Sequence, residues 1–413
     1  GQNNVGIGHN TLQLSTVDQQ VAVGSFALQL NTTGTNGTAV GYMALQNQTI
    51  GNNNSAFGHM AGSSLTSGDY NVVMGSGALF LASGANNNVA IGVNTLASVS
   101  IFGNNVGVGT NVLSSSTSVL PNTALGHNAM EYNTSGGANT AMGHRALRNN
   151  LTGASNAVFG YLAGYANLGS HNTAMGREAL SSNTVDDNTA MGYQALTLNV
   201  SGTGLTAMGY LSLANSTASN NTGVGYRSLT SCTTGGSNTA FGTSAMDVLT
   251  TGTNNVSIGN DSMGNTNASR CVSVGSLSMN IGTGANDVVG LGYLTLSQNT
   301  STGSVAVGSY ALTANVGGAR NTGIGFKTLQ TNVSGSDNTG IGYNSLIAST
   351  GSRNTGNGSL SLGSNVAGND NTSFGYNSLF ANVGGNQNVG IGSGALVATV
   401  GQSGNVALGY GAN

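Results

Sequence analysis

The sequence predicts an all-β fold, a parallel β-roll or β-solenoid of about 25 coils of 16–17 residues, on three observations. A glycine recurs from Gly8 to Gly409 at intervals of 16 or 17 residues, without a break. Around it sits a nine-residue motif, of which Asn188-Thr189-Ala190-Met191-Gly192-Tyr193-Gln194-Ala195-Leu196 is typical. Finally, the chain holds 68 glycines and one proline, and no stretch carries a helix-period apolar stripe. A short, unbroken period marks a solenoid in which each copy is one coil stacked on its neighbours. The whole chain, residues 1–413, is therefore expected to be a single repeat domain.

Each coil is numbered here from the residue four before the marker glycine, so that the glycine is position 5. Position 1 is Asn in 19 of 25 coils, and a stacked Asn column can form an amide ladder. Position 2 is Thr or Val in all but two coils, the β-branched choice of a strand. Position 4 is large and apolar everywhere except Asn357. Positions 2 and 4 share one face of a strand, and that face is expected to be the core. On this reading Met191→Asp would unfold the coil, and Asn357 must be hydrogen-bonded or turned outward. Positions 3 and 8 are small, which suggests flat outward surfaces. Position 9 is Leu or Met in 22 coils and is expected to form a second apolar column on a second strand over positions 6 to 10. Gly62 and Gly164 interrupt that column, with Met60 and Leu162 as apparent substitutes. The marker glycine implies a bend or a close backbone approach. Positions beyond 10 are polar turns.

Composition removes several functional classes. Charged residues make up 5% of the chain and the net charge is −3, which leaves no basic stripe for nucleic acid. No apolar run reaches the ~18 residues of a membrane span, so no membrane insertion is expected within this segment. Cys232 and Cys271 lie about three coils apart, roughly 14 Å at the strand spacing, too far for a disulfide. Gly323-Ile324-Gly325-Phe326-Lys327-Thr328 lacks the spacing of a phosphate loop, and the acids follow no calcium-binding period. His9, His59, His127 and His144 share position 6 without a third ligand. No catalytic residue, metal site or cofactor is assigned, and the chain is expected not to be an enzyme. The candidate binding or interface stripe is the tyrosine column at position 6: Tyr42, Tyr161, Tyr193, Tyr210, Tyr226, Tyr293, Tyr343, Tyr376 and Tyr410. Tyr offers an apolar face with a polar tip. Glycosylation sequons at Asn31, Asn133, Asn150, Asn199 and Asn332 fall at a repeated turn site.

The core Asn-(Val/Thr)-Ala-(large apolar)-Gly resembles the head repeat of YadA-like trimeric autotransporter adhesins, and related repeats occur in tail-fibre and other surface-fibre proteins. The resemblance covers essentially the whole chain. It implies a left-handed β-roll, a homotrimer, and an adhesive or spacer role at a cell or virion surface. The expected function is a non-enzymatic structural fibre or adhesin-like rod, extracellular, that associates with other copies of itself as a trimer or filament and meets a host-surface glycan or protein. Ice binding or carbohydrate binding by the solenoid is the alternative. Nothing in the chain reads as a solenoid cap, so exposed strand edges are expected to be covered by further chain or by other copies.

Overall fold

The computed structural model describes residues 2–98, 103–117, 120–166, 168–264 and 267–413. Its coils form two compact units, Gly1–Leu205 and Thr206–Asn413. Among the described residues every strand has three residues, at positions 2 to 4 of its coil. The first unit runs from β1 (Val5–Ile7) and β2 (Val21–Val23) to β11 (Thr173–Met175) and β12 (Thr189–Met191). The second runs from β13 (Thr206–Met208) to β25 (Val406–Leu408). Neighbouring coils pair parallel and in register: in β11 and β12, Thr173 faces Thr189, Ala174 faces Ala190 and Met175 faces Met191. The same alignment joins β20 (Thr322–Ile324) to β21 (Thr339–Ile341). The all-β, parallel β-solenoid expected from the period is therefore the architecture of each unit.

The strand face is the reverse of the one expected. From β2 onward the middle residue, position 3, is buried in every strand, while positions 2 and 4 are never buried. Met175 and Phe374 are each 42% exposed, and Met191 and Asn357 also lie on this outer side. The reason is room. A Cβ added at Gly356, in position 3, would lie 2.8 Å from Ser345 Oγ and 3.2 Å from both Leu346 Cγ and Ser361 Oγ. Position 3 thus faces positions 8 and 9 across a narrow interior already filled by the Leu column. Large side chains at positions 2 and 4 have nowhere to go but outward. Met191→Asp consequently meets solvent and is not expected to unfold the coil.

Size is matched across this interior. Where position 3 is Gly, position 8 of the same coil is Thr11, Val112, Ser228, Thr295, Thr328, Ser345 or Ser361, with Ala395 in the remaining case. Where position 3 is Ser and position 8 of the preceding coil is also Ser, hydroxyls pair: Ser262 Oγ lies 2.7 Å from Ser273 Oγ, and Ser361 Oγ donates to Ser373 Oγ at 2.7 Å. Gly62 and Gly164 follow the same rule. Their missing side chains are replaced from inside, by buried Leu65 and Leu168 and by Val73 and Val158, which supplant Ala at position 3. Met60 and Leu162 are not the substitutes, since both sit at position 7 on the outer wall.

Positions 6 to 10 form no second strand. Positions 7 and 9, and the last residue of the coil, adopt left-handed backbone everywhere but at Pro121 and the terminal Asn413, as at Gln194 (φ 51°), Leu196 (φ 52°) and Asp187 (φ 60°). None of these three columns contains Val, Ile or Thr in any coil, because β-branched residues are strongly disfavoured at positive φ. The arc still stays bonded between coils: Leu360 N donates to Tyr343 O at 2.9 Å and Leu346 N to Ser361 O at 2.9 Å. At the marker, Gly342 has φ 129°, and a Cβ there would lie 2.7 Å from the carbonyl carbon and oxygen of Gly358. Conformation and stacking both demand glycine.

Two amide columns finish the interior. At position 1 the regular rung is a backbone N–H donating into the asparagine side chain of the preceding coil. Asn354 N donates to Asn338 Oδ1 at 2.9 Å and Asn371 N to Asn354 Oδ1 at 3.1 Å. The amide nitrogen is spent on a turn carbonyl, as in Asn338 Nδ2 to Gly351 O at 2.8 Å. A second column at position 12 closes the turn three residues on, with Asn332 Nδ2 donating to Gly335 O at 2.8 Å. Cys232 and Cys271 replace asparagines of these columns and keep the same partners. Cys232 Sγ donates to Gly235 O at 3.1 Å and Cys271 Sγ to Ala285 O at 3.3 Å. Both thiols are free and buried.

Candidate binding surfaces

Two outward features follow from that interior. The first is the outer strand face. It carries a β-branched residue and a large apolar residue per coil, and positions 2 and 4 hold no charged residue anywhere in the chain. Phe57, Met142, Met175, Ile258, Phe374 and Ile391 are each about two-fifths exposed. Sequence reasoning assigned these side chains to the core and so missed the face. The signal that could have found it was the smallness of positions 3 and 8 together, which only an interior explains.

The second feature is the aromatic column at position 6. Tyr42, Tyr161, Tyr210, Tyr226, Tyr293, Tyr343, Tyr376 and Tyr410 are exposed, and Tyr193 is half-buried. Tyr376 and Tyr410 stand apart, next to coils with Ser359 and Ser393 at the same position, but most of the others meet a neighbouring ring. Tyr210 and Tyr226 stack with centroids 5.1 Å apart, His144 stacks on Tyr161 at 5.3 Å, and Phe326 on Tyr343 at 5.7 Å. Residues from position 7 join edge-on, as Phe26 does against Tyr42 and Tyr310 against Phe326. Much of the ring-face area is therefore spent within the column, and edges and hydroxyls meet solvent. His127 and His144 stack at 5.2 Å. Burial, then the charge of Arg145, holds His144 below its ordinary range. Among the described residues no three His, Cys, Asp or Glu side chains gather as metal ligands, and no helix is long and apolar enough to cross a membrane.

Charge concentrates in two places. In the second unit, Arg270–Asp287, Arg320–Asp337 and Arg353–Asp370 form bidentate pairs between consecutive coils, each with Nε and Nη2 on the two carboxylate oxygens. All six occupy the last, left-handed residue of their coils. In the first unit, Arg148 is held by Glu131 at 2.6 Å and by the hydroxyls of Tyr132 and Tyr165. Glu178 accepts from Arg177 and Gln194. The five sequon asparagines Asn31, Asn133, Asn150, Asn199 and Asn332 are fully buried, each bonding the carbonyl three residues on. The turn site expected to accept glycans is interior, and the folded chain offers no sequon nitrogen there to a transferase.

No family model, no curated protein and no solved structure matches the chain. The resemblance to adhesin head repeats rests on the residues of the coil itself.

Proposed function

We propose that the chain is a non-enzymatic structural segment, an adhesin-like or fibre rod displayed outside a cell or particle, whose copies associate laterally through the outer strand face. The observation that carries this is the row of uncharged, partly exposed side chains at positions 2 and 4. A second copy is the occupant that fits, because it presents the same row at the same strand spacing and requires no charge on its partner. An exposure near two-fifths of a large side chain offers roughly 60–100 Å² per coil, so about ten coils reach the ~800 Å² per partner of a stable interface. The closed form that the repeat resemblance implies is a homotrimer. Native mass measurement tests it: the chain is expected at a multiple of 40.7 kDa. Combining Met142→Asp with Met175→Asp should release a folded monomer. A wild-type chain that stays at 40.7 kDa across concentrations overturns the proposal.

One observation favours a second reading. Thr322, Thr339, Thr355 and Thr372 stack in register on the outer face, a row of hydroxyls of the kind an ice lattice could meet. Valine takes the same position in eleven coils, which breaks the row. Inhibition of ice recrystallisation at micromolar protein would favour it over lateral association.

A further inference from the structure

A cavity of about 300 Å³ opens on the first unit between Arg145, Leu162, Tyr165, Glu178, Ser181 and Ser182. These residues come from positions 7, 10 and 11 of three consecutive coils, on the turn side rather than the strand face. Its charge is unbalanced. Arg148 is neutralised by Glu131 and Arg177 by Glu178, while the Arg145 side chain makes no ion pair among the described residues. Arg145 Nε is buried and has no hydrogen-bond partner, a costly condition for a charged donor. The rest of the wall is suited to hydroxyls: Ser181, Ser182, the Tyr165 hydroxyl, and Glu178 as an acceptor, with Leu162 as the apolar contact. Glu178 stays ionised, because the hydrogen bonds from Gln194 and then Arg177 hold its carboxyl below the usual range.

We propose that this cavity binds one acidic sugar residue of a glycan, with its carboxylate on the guanidinium of Arg145 and its ring hydroxyls on Ser181, Ser182, Tyr165 and Glu178. A guanidinium pairs a carboxylate through two parallel N–H bonds. The volume lies at the lower end of small-molecule sites, which fits a single ring rather than an oligosaccharide or a folded partner. Site and ligand stand independently of lateral association, since the cavity lies within one chain and away from the outer strand face.

The test titrates the full chain with sodium glucuronate, methyl glucoside and sodium acetate, followed by NMR shifts or calorimetry. Glucuronate should bind saturably and more weakly as salt rises, and the neutral glucoside and acetate should bind far less. Arg145→Gln should weaken glucuronate about tenfold or more. The variant is expected to fold, because Gln194 already occupies position 7 with the same left-handed backbone. Ser182→Ala should weaken glucuronate while leaving acetate unchanged. Arg227→Gln, at position 7 of another coil, should change nothing. Three results would overturn the proposal: equal binding of acetate and glucuronate, which means a bare anion hole; unchanged binding in Arg145→Gln; or saturable binding of polyglutamate without glucuronate. Native mass is recorded on the same samples, so loss of sugar binding and loss of association are read separately.

Discussion

The two sides of one three-residue strand differ more than any two coils do. Inside, Ala174 is fully buried and is among the smallest residues of its coil. Outside, Met175, the next residue, is 42% exposed. In a broad sandwich the large side chain would face the core, since burial favours apolar area. In a coil this narrow the limit is volume, and the single Leu at position 9 already occupies it. Hydrophobicity thus decides which columns are apolar, and available space decides which of them go inside. The apolar columns that lose that competition make the outer face, so a chain rich in Gly, Asn, Ser and Thr carries a large apolar side chain outward in every coil except at Asn357.

Exchanging the two sides of the strand is expected to be the most damaging change. Ala174→Met places the outer residue inside, at the position where, in a coil with Gly356, even a Cβ would crowd the side chains of positions 8 and 9. It should destabilise by about 3 kcal/mol, the upper end of overpacking. Met175→Ala, one residue on, should cost the isolated chain under about 0.5 kcal/mol, as surface changes do. Thermal unfolding of the monomeric form of each variant checks the pair. If the outer substitution proved the more damaging, the strand face would be inverted again.

A smaller effect is expected from the amide column. Asn338→Ala leaves Asn354 N–H and the Gly351 carbonyl without their partners in a fully buried place. That should destabilise by about 2 kcal/mol. Hydrogen exchange should quicken most at Asn354 and in the turn around Gly351, not along the outer face. Uniform exchange changes would mean that the amide supports the coil only through packing.

How much of this could be read in the chain follows from the same contrast. The period, the parallel pairing and the need for glycine at position 5 were legible because each is a one-residue rule repeated down the sequence. Facing was not, because β-branched and large apolar side chains at positions 2 and 4 read as buried by their hydrophobicity alone. The contrary evidence was present: Gly at position 3 accompanies Thr, Val or Ser at position 8, as in Gly340 with Ser345, and positions 7 and 9 exclude β-branched residues throughout. The first is volume compensation and the second is left-handed backbone, and together they describe a filled interior with a turn for a wall. The tyrosine column was legible for the same reason as the glycine. The Arg145 cavity was not, because it joins residues of three coils and depends on Arg145 lacking the partner that Arg148 and Arg177 both have.

Cysteine labelling should distinguish the inner and outer sides with the least disturbance of the fold. Cys232 lies in the inner amide column, and burial pushes its thiol up to about 11. Cys271 is raised as well, again chiefly by burial. A thiol reacts as the thiolate, so at pH 8 both should resist a maleimide or disulfide reagent in the native chain and react together once it unfolds. A third cysteine placed by Met191→Cys would sit on the outer side, where Met191 is partly exposed, and should label at the rate of an ordinary surface thiol with almost no change in stability. The same cysteine should become protected as protein concentration rises if copies meet through this face, while Cys232 and Cys271 should be protected at every concentration. Rapid labelling of native Cys232 would show that the inner column opens to solvent. A Met191→Cys thiol as inert as Cys232, in dilute monomer, would put position 4 back inside the coil.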